Sequence, residues 1–133
     1  MCLKSLNSIL IYFSSKMSHI CLQHRDYSLA SWKKSICSVC EIFISKDVSY
    51  VPIWKFGEFP TVVDVANYLK TLGDDYYNDF VDMMIFDTLI YNTDRHQGNF
   101  GLLIDSRTNK PISLGPIFDN GLGLFPYAMD NDL

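Results

Sequence analysis

At 133 residues, with 48% hydrophobic and 14% aromatic side chains, the chain has the length of one domain and enough apolar surface for a core, which excludes intrinsic disorder. A formal net charge of −4 argues against nucleic acid as a partner, and no apolar run reaches the length of a membrane span. The charge is divided unevenly: residues 1–46 carry six basic and two acidic side chains, residues 47–133 five basic and thirteen acidic ones.

The run at residues 8–13 is too short to cross a membrane and lacks the cleavage site of a secretory signal, so a cytoplasmic setting is the expectation. Leu29, Trp32, Ile36, Val39 and Phe43 recur at helical spacing, with Asp26 or Ser28 in position to cap. Residues 1–45 are therefore expected to form a helical packing segment. Cys21-x-x-His24 and Cys37-x-x-Cys40, twelve residues apart, overlie that pattern with the spacing of a tetrahedral zinc site. A helix would have to break near Cys37 to allow it, and no Gly or Pro punctuates the pairs, so reduced thiols are the simpler reading. A zinc-stapled interaction module held by Cys21, His24, Cys37 and Cys40 is the alternative.

Pro52, Gly57 and Pro60 mark residues 45–60 as a linker or irregular segment. Thr61-Val62-Val63-Asp64 is a capping box that opens a helix running to Gly73. A second helix is expected over residues 75–91, where Tyr77, Val81, Met84, Ile85, Thr88 and Leu89 recur at helical spacing and define its buried face. Residues 100–104 and 112–118 are apolar runs separated by a turn-like stretch of Asp, Ser, Asn, Lys and Pro, which predicts a β-hairpin.

The chemistry lies at the two ends of that hairpin. Asp94-Arg95-His96-Gln97-Gly98-Asn99 precedes it, and Phe118-Asp119-Asn120-Gly121 closes it. Transfer of a γ-phosphoryl group needs a hard cation held by few protein oxygens, and a separate carboxylate free to take the proton of the attacking hydroxyl. An Asp, an Asn five residues on, and a second Asp beyond two strands have that order. Asp94 is thus the candidate catalytic base, with Asn99 and Asp119 as candidate ligands of Mg²⁺ and, through it, of ATP. Taken alone, Asp119-Asn120-Gly121 reads equally as a tight turn, and His96 reads as a structural hydrogen-bonding histidine.

Asn92-Thr93-Asp94-Arg95-His96-Gln97-Gly98-Asn99 resembles the N-x-D-x-H-x-x-N loop of the HipA-like kinases, and Pro116-Ile117-Phe118-Asp119 resembles their metal-binding strand end. Phosphoinositide kinases carry a similar D-R-H-x-x-N loop, so the motif marks the kinase-like superfamily better than a substrate. The resemblance implies an α+β protein-kinase-like C-lobe over residues 46–133, mostly helical with a β-hairpin carrying the catalytic and metal-binding loops. It also implies ATP- and Mg²⁺-dependent phosphorylation of a protein Ser/Thr hydroxyl. The first glycine is Gly57, so no Gly-rich loop precedes the motif; Lys46 is the nearest approach to an ATP-anchoring strand lysine, and fourteen residues follow Asp119. The expectation is a lower lobe truncated at both ends, with residues 43–52 supplying the hinge to adenine, and with a protein substrate or a missing upper lobe as partner. A catalytically inactive, kinase-derived binding module is the other alternative.

Overall fold

The computed structural model describes residues 27–32 and 35–118. In chain order these form strands β1 (Tyr27–Trp32), β2 (Ser35–Cys40) and β3 (Val48–Pro52), one turn of 3-10 helix (Ile53–Phe56), helices α1 (Val62–Leu72) and α2 (Asp74–Leu89), and strands β4 (Gly101–Asp105) and β5 (Lys110–Leu114).

The helical expectation for residues 29–43 is corrected. β1 and β2 pair antiparallel, Tyr27 opposite Cys40 and Trp32 opposite Ser35, as a two-stranded sheet. The apolar positions that satisfy a helical repeat here are β-branched or aromatic at Trp32, Ile36 and Val39, and three serines interrupt them. Such a composition fits a pleated strand better than a helix interior. The linker expected at residues 45–60 also contains a strand: β3 pairs antiparallel with β4, Tyr50 opposite Leu103, in a sheet of order β3-β4-β5. Pro52 is tolerated there because β3 is an edge strand and the proline is its last residue.

Helix α1 begins and ends as its sequence dictates. Thr61 accepts from the Asp64 N–H at 3.2 Å while Asp64 Oδ2 accepts from the Thr61 N–H at 2.9 Å, a reciprocal box that satisfies two donors of the first turn. Gly73, at φ 150°, separates α1 from α2 and donates its N–H to the Leu69 carbonyl. Its conformation is one that L side chains rarely adopt.

The buried face of α2 differs from the expected one. Phe80, Met83, Phe86 and Asp87 are buried, whereas Ile85 and Leu89 are exposed and Tyr77, Val81, Met84 and Thr88 line an open groove with Val62, Val63 and Ala66 of α1. The helix is apolar on two sides, and periodicity alone does not say which side meets the sheet. The core joins Val65 and Leu69 of α1 and the inner face of α2 to Ile53, Ile90, Phe100, Leu102, Ile104, Leu114 and Ile117. The Phe80 and Phe100 rings lie 5.5 Å apart across the helix–sheet interface. Ile53, Leu69, Met83 and Leu102 are fully enclosed, each contributing about 2–3 kcal/mol of burial.

The β4–β5 hairpin turns on Asp105, whose Oδ1 accepts from the Arg107 and Thr108 N–H groups at 2.8 and 3.0 Å. Those bonds, Thr108 first, hold its carboxyl below the usual carboxylate range. Asn109, at φ 54°, completes the turn. Among the described residues no helix is long and apolar enough to cross a membrane.

Candidate functional site

The loop from α2 to β4 is folded by its own polar groups. The Asn92 N–H donates to the Asp87 carbonyl at 2.8 Å, and Tyr91, at φ 54°, turns the chain away from the helix axis. Asn92 Oδ1 then accepts from the Asp94 N–H at 3.2 Å, the local side-chain-to-backbone bond that makes Asn a turn residue. The His96 N–H donates to the Asp94 carbonyl at 3.0 Å and the Asn99 N–H to the His96 carbonyl at 2.9 Å.

These bonds bring Asp94 and Asn99 together and set their side chains differently. Asn99 is buried, and its Nδ2 donates to the Asp94 carbonyl at 3.1 Å. The amide is thereby oriented, and its Oδ1 has no hydrogen-bond partner among the described residues. Asp94 is exposed, and its carboxylate is likewise without a partner among them. One loop thus presents a hard oxygen on a fixed amide and a free carboxylate. His96 is exposed and accepts the Gly98 N–H on Nδ1 at 3.0 Å, which agrees with a structural histidine. Gln97 reaches the Phe59 carbonyl at 2.6 Å and ties the loop to the segment ahead of α1.

Sequence reasoning missed Asp87 and gave Arg95 no role. The two side chains are 5% and 4% exposed and form a forked pair: Nε to Oδ2 at 2.7 Å and Nη2 to Oδ1 at 2.9 Å. Asn92 Nδ2 adds a third bond to Asp87 Oδ1 at 2.8 Å. Arg95 Nη1 donates to the Asn99 carbonyl at 3.1 Å and to the Phe118 carbonyl at 2.8 Å. The signal available was an Asp on the apolar side of a helix, eight residues before an Arg, because a charge there must be paired.

Asp119 follows Phe118 directly and lies outside the described residues, as do Cys21 and His24; Cys37 and Cys40 belong to β2. Among the described residues, no three His, Cys, Asp or Glu side chains converge to hold a metal. Beside the Phe118 end of the site, the rings of Phe43, Tyr50 and Phe118 pack mutually at 5.4–5.7 Å. The Tyr50 hydroxyl is buried without a hydrogen-bond partner among the described residues, and burial pushes it up to about 12 against the opposing pull of the Arg95 charge.

No family model matches the chain. It is 49% identical over 51 residues to the serine/threonine-protein kinase CtkA of Helicobacter pylori, an alignment covering 38% of this chain and 15% of that protein. The crystal structure of the H. pylori proinflammatory kinase CtkA superposes with a TM-score of 0.73 at 26% identity, covering 90% of this chain and 48% of the other. The chain thus spans about half the length of the solved kinase and a smaller share of the curated one. It is similar over part of its length to a serine/threonine kinase and has a kinase-like α+β fold.

Proposed function

We propose that residues 46–133 are the catalytic and metal-binding part of a HipA-like kinase C-lobe, whose parent reaction moves the γ-phosphoryl of ATP to a protein Ser/Thr hydroxyl. The observation that carries this reading is the loop geometry: Asn99 Nδ2 bound to the Asp94 carbonyl, with Asn99 Oδ1 and the Asp94 carboxylate left without partners among the described residues. The likeness to CtkA supports it.

In this reading the substrate hydroxyl meets Asp94, which accepts its proton as the new O–Pγ bond forms and the bond from Pγ to the bridging oxygen of ADP breaks. Asn99 Oδ1 and the Asp119 carboxylate would hold Mg²⁺; both are hard oxygens, and the Asn99 amide is already turned to present one. Bound Mg²⁺ supplies charge neutralisation at the transferring phosphoryl group. Residues 43–52 would meet adenine, and an upper lobe covering the phosphates would come from further polypeptide. A cytoplasmic setting suits the chemistry.

The test is the thermal shift of the chain on adding ATP with Mg²⁺, against ATP with chelator. A metal-dependent upward shift is expected, lost in Asp119→Ala and kept in Asp94→Asn. With an upper lobe present, Asp94→Asn should lower phosphoryl transfer by roughly 10²–10⁴-fold. A folded chain with no such shift would make a kinase-derived binding module the better reading.

A further inference from the structure

The Asp87–Arg95 pair sits outside the set of groups just assigned to the chemistry, yet its hydrogen bonds reach both the catalytic loop and the strand end at Phe118. Net stability is a poor reason for it. Two charges taken this far from water gain little over a well-packed apolar pair of the same volume. What an apolar pair lacks is directed donors.

Arg95 uses its donors on the helix behind it, on its own loop and on a strand end twenty-three residues on. Nε and Nη2 are anchored on Asp87 in the last turn of α2, while Nη1 is shared between the Asn99 and Phe118 carbonyls. Each of those carbonyls lies within one residue of a proposed metal ligand: Asn99 bears its own, and the Phe118 carbonyl belongs to the planar peptide that leads into Asp119. A single nitrogen therefore sets the Asn99 end of the catalytic loop against the strand end at residue 118. Asp87 also holds Asn92 Nδ2, and Asn92 Oδ1 holds the Asp94 N–H, so the same carboxylate steadies the base from the other side.

We propose that Asp87, acting through Arg95 and Asn92, is the positioning residue of this site, setting the catalytic loop against the strand end at residue 118 so that Asn99 and Asp119 can share one divalent cation. The inference rests on the kinase reading for its chemistry and on the hydrogen bonds for its geometry. Groups that orient metal ligands from behind typically cost 10–100-fold in metal affinity when removed.

The test uses the full chain with two variants. Arg95→Lys keeps a cation opposite Asp87, but one ammonium cannot span a carboxylate and two carbonyls. Asp87→Asn combined with Arg95→Gln removes both charges together, so that no buried charge is left alone. Two quantities are read in each: amide hydrogen exchange at Asn99 against Met83 and Phe86 of α2, and the Mg²⁺ concentration at the midpoint of the ATP-dependent thermal shift. The expected result is faster exchange at Asn99 with Met83 and Phe86 unchanged, and a midpoint raised at least about tenfold in both variants. Exchange that rises equally along α2 and the loop would mean a merely structural pair and overturn the proposal. So would an unchanged Mg²⁺ midpoint in variants whose wild type responds normally. A wild type with no Mg²⁺-dependent shift would overturn the kinase reading itself, and the metal-positioning role with it.

Discussion

Placing a methyl group at position 101 tests the packing that carries the site. Gly101 opens β4 two residues after Asn99 and pairs with Pro52 across the β3–β4 ladder. A Cβ built there comes within 2.2 Å of the Val51 carbonyl oxygen and 2.7 Å of the Pro52 Cα, both backbone atoms that no rotamer change can move aside. The strands must part by about 1 Å to restore ordinary contact. That movement loads the Ile53 N–H bond to the Phe100 carbonyl, 3.0 Å long, and the Gly115 N–H bond to the Gly101 carbonyl, 2.7 Å long. Ile53 is fully buried, so a broken bond there leaves its donor without water. Overpacking of this kind costs about 1–3 kcal/mol, and an orphaned buried donor a similar amount. Gly101→Ala should therefore lose about 3 kcal/mol, or roughly 10 °C in Tm for a chain of this size. Urea melts followed by tryptophan fluorescence suit the measurement, because Trp54 stands next to Ile53. A loss below about 0.5 kcal/mol would refute the close approach of β3 to β4 on which the argument depends.

The capping box predicts that Thr61→Ala costs about 1 kcal/mol, read from the same urea midpoint. Asp87→Ala, which strands the Arg95 charge, should cost about 3–5 kcal/mol, whereas Asp94→Ala, with an exposed carboxylate, should stay within about 0.5 kcal/mol; equal losses would contradict the burial that separates them. Tyr50→Phe removes a buried hydroxyl with no partner among the described residues and should be neutral or stabilising by about 1 kcal/mol, so a clear loss in the urea midpoint would reveal a hydrogen bond to that hydroxyl. Because the folded phenol is pushed up to about 12 from 10.0, its contribution is complete below pH 10 and falls as pH rises from there toward 12, where the unfolded chain ionises first. That alkaline loss should be smaller in Tyr50→Phe than in the wild type when melts are compared across the window.

The parts of the fold legible in the sequence were those specified by neighbours. Thr61 and Asp64 are three residues apart, Gly73 breaks the chain where a positive φ is needed, and Asp105 folds its turn by reaching the next two or three N–H groups. The β1–β2 pair was not legible. Leu29, Trp32, Ile36, Val39 and Phe43 satisfy a helical repeat as well as a strand does, and Lys33-Lys34 between the strands carries no turn signature. β3 was hidden for a related reason: five residues that end on Pro52 become a strand only because β4, some fifty residues later, offers a ladder to join.

The candidate site divides along the same line. Asp94 and Asn99 are held together by bonds within eight consecutive residues, so the order of residue types alone singled out the loop, while the orientation of the Asn99 amide came from the structure. Which face of α2 is buried, why Asp87 is there, and where Arg95 sends its donors were decided by tertiary structure. The Arg95 bond to the Phe118 carbonyl spans twenty-three residues, and it forms only because the β4–β5 hairpin and the core beneath it return the chain to the end of α2. A short-range hydrogen bond needs only the right side chain at the right spacing. A buried hydrogen bond between segments this far apart needs the whole core to bring its partners out of water together.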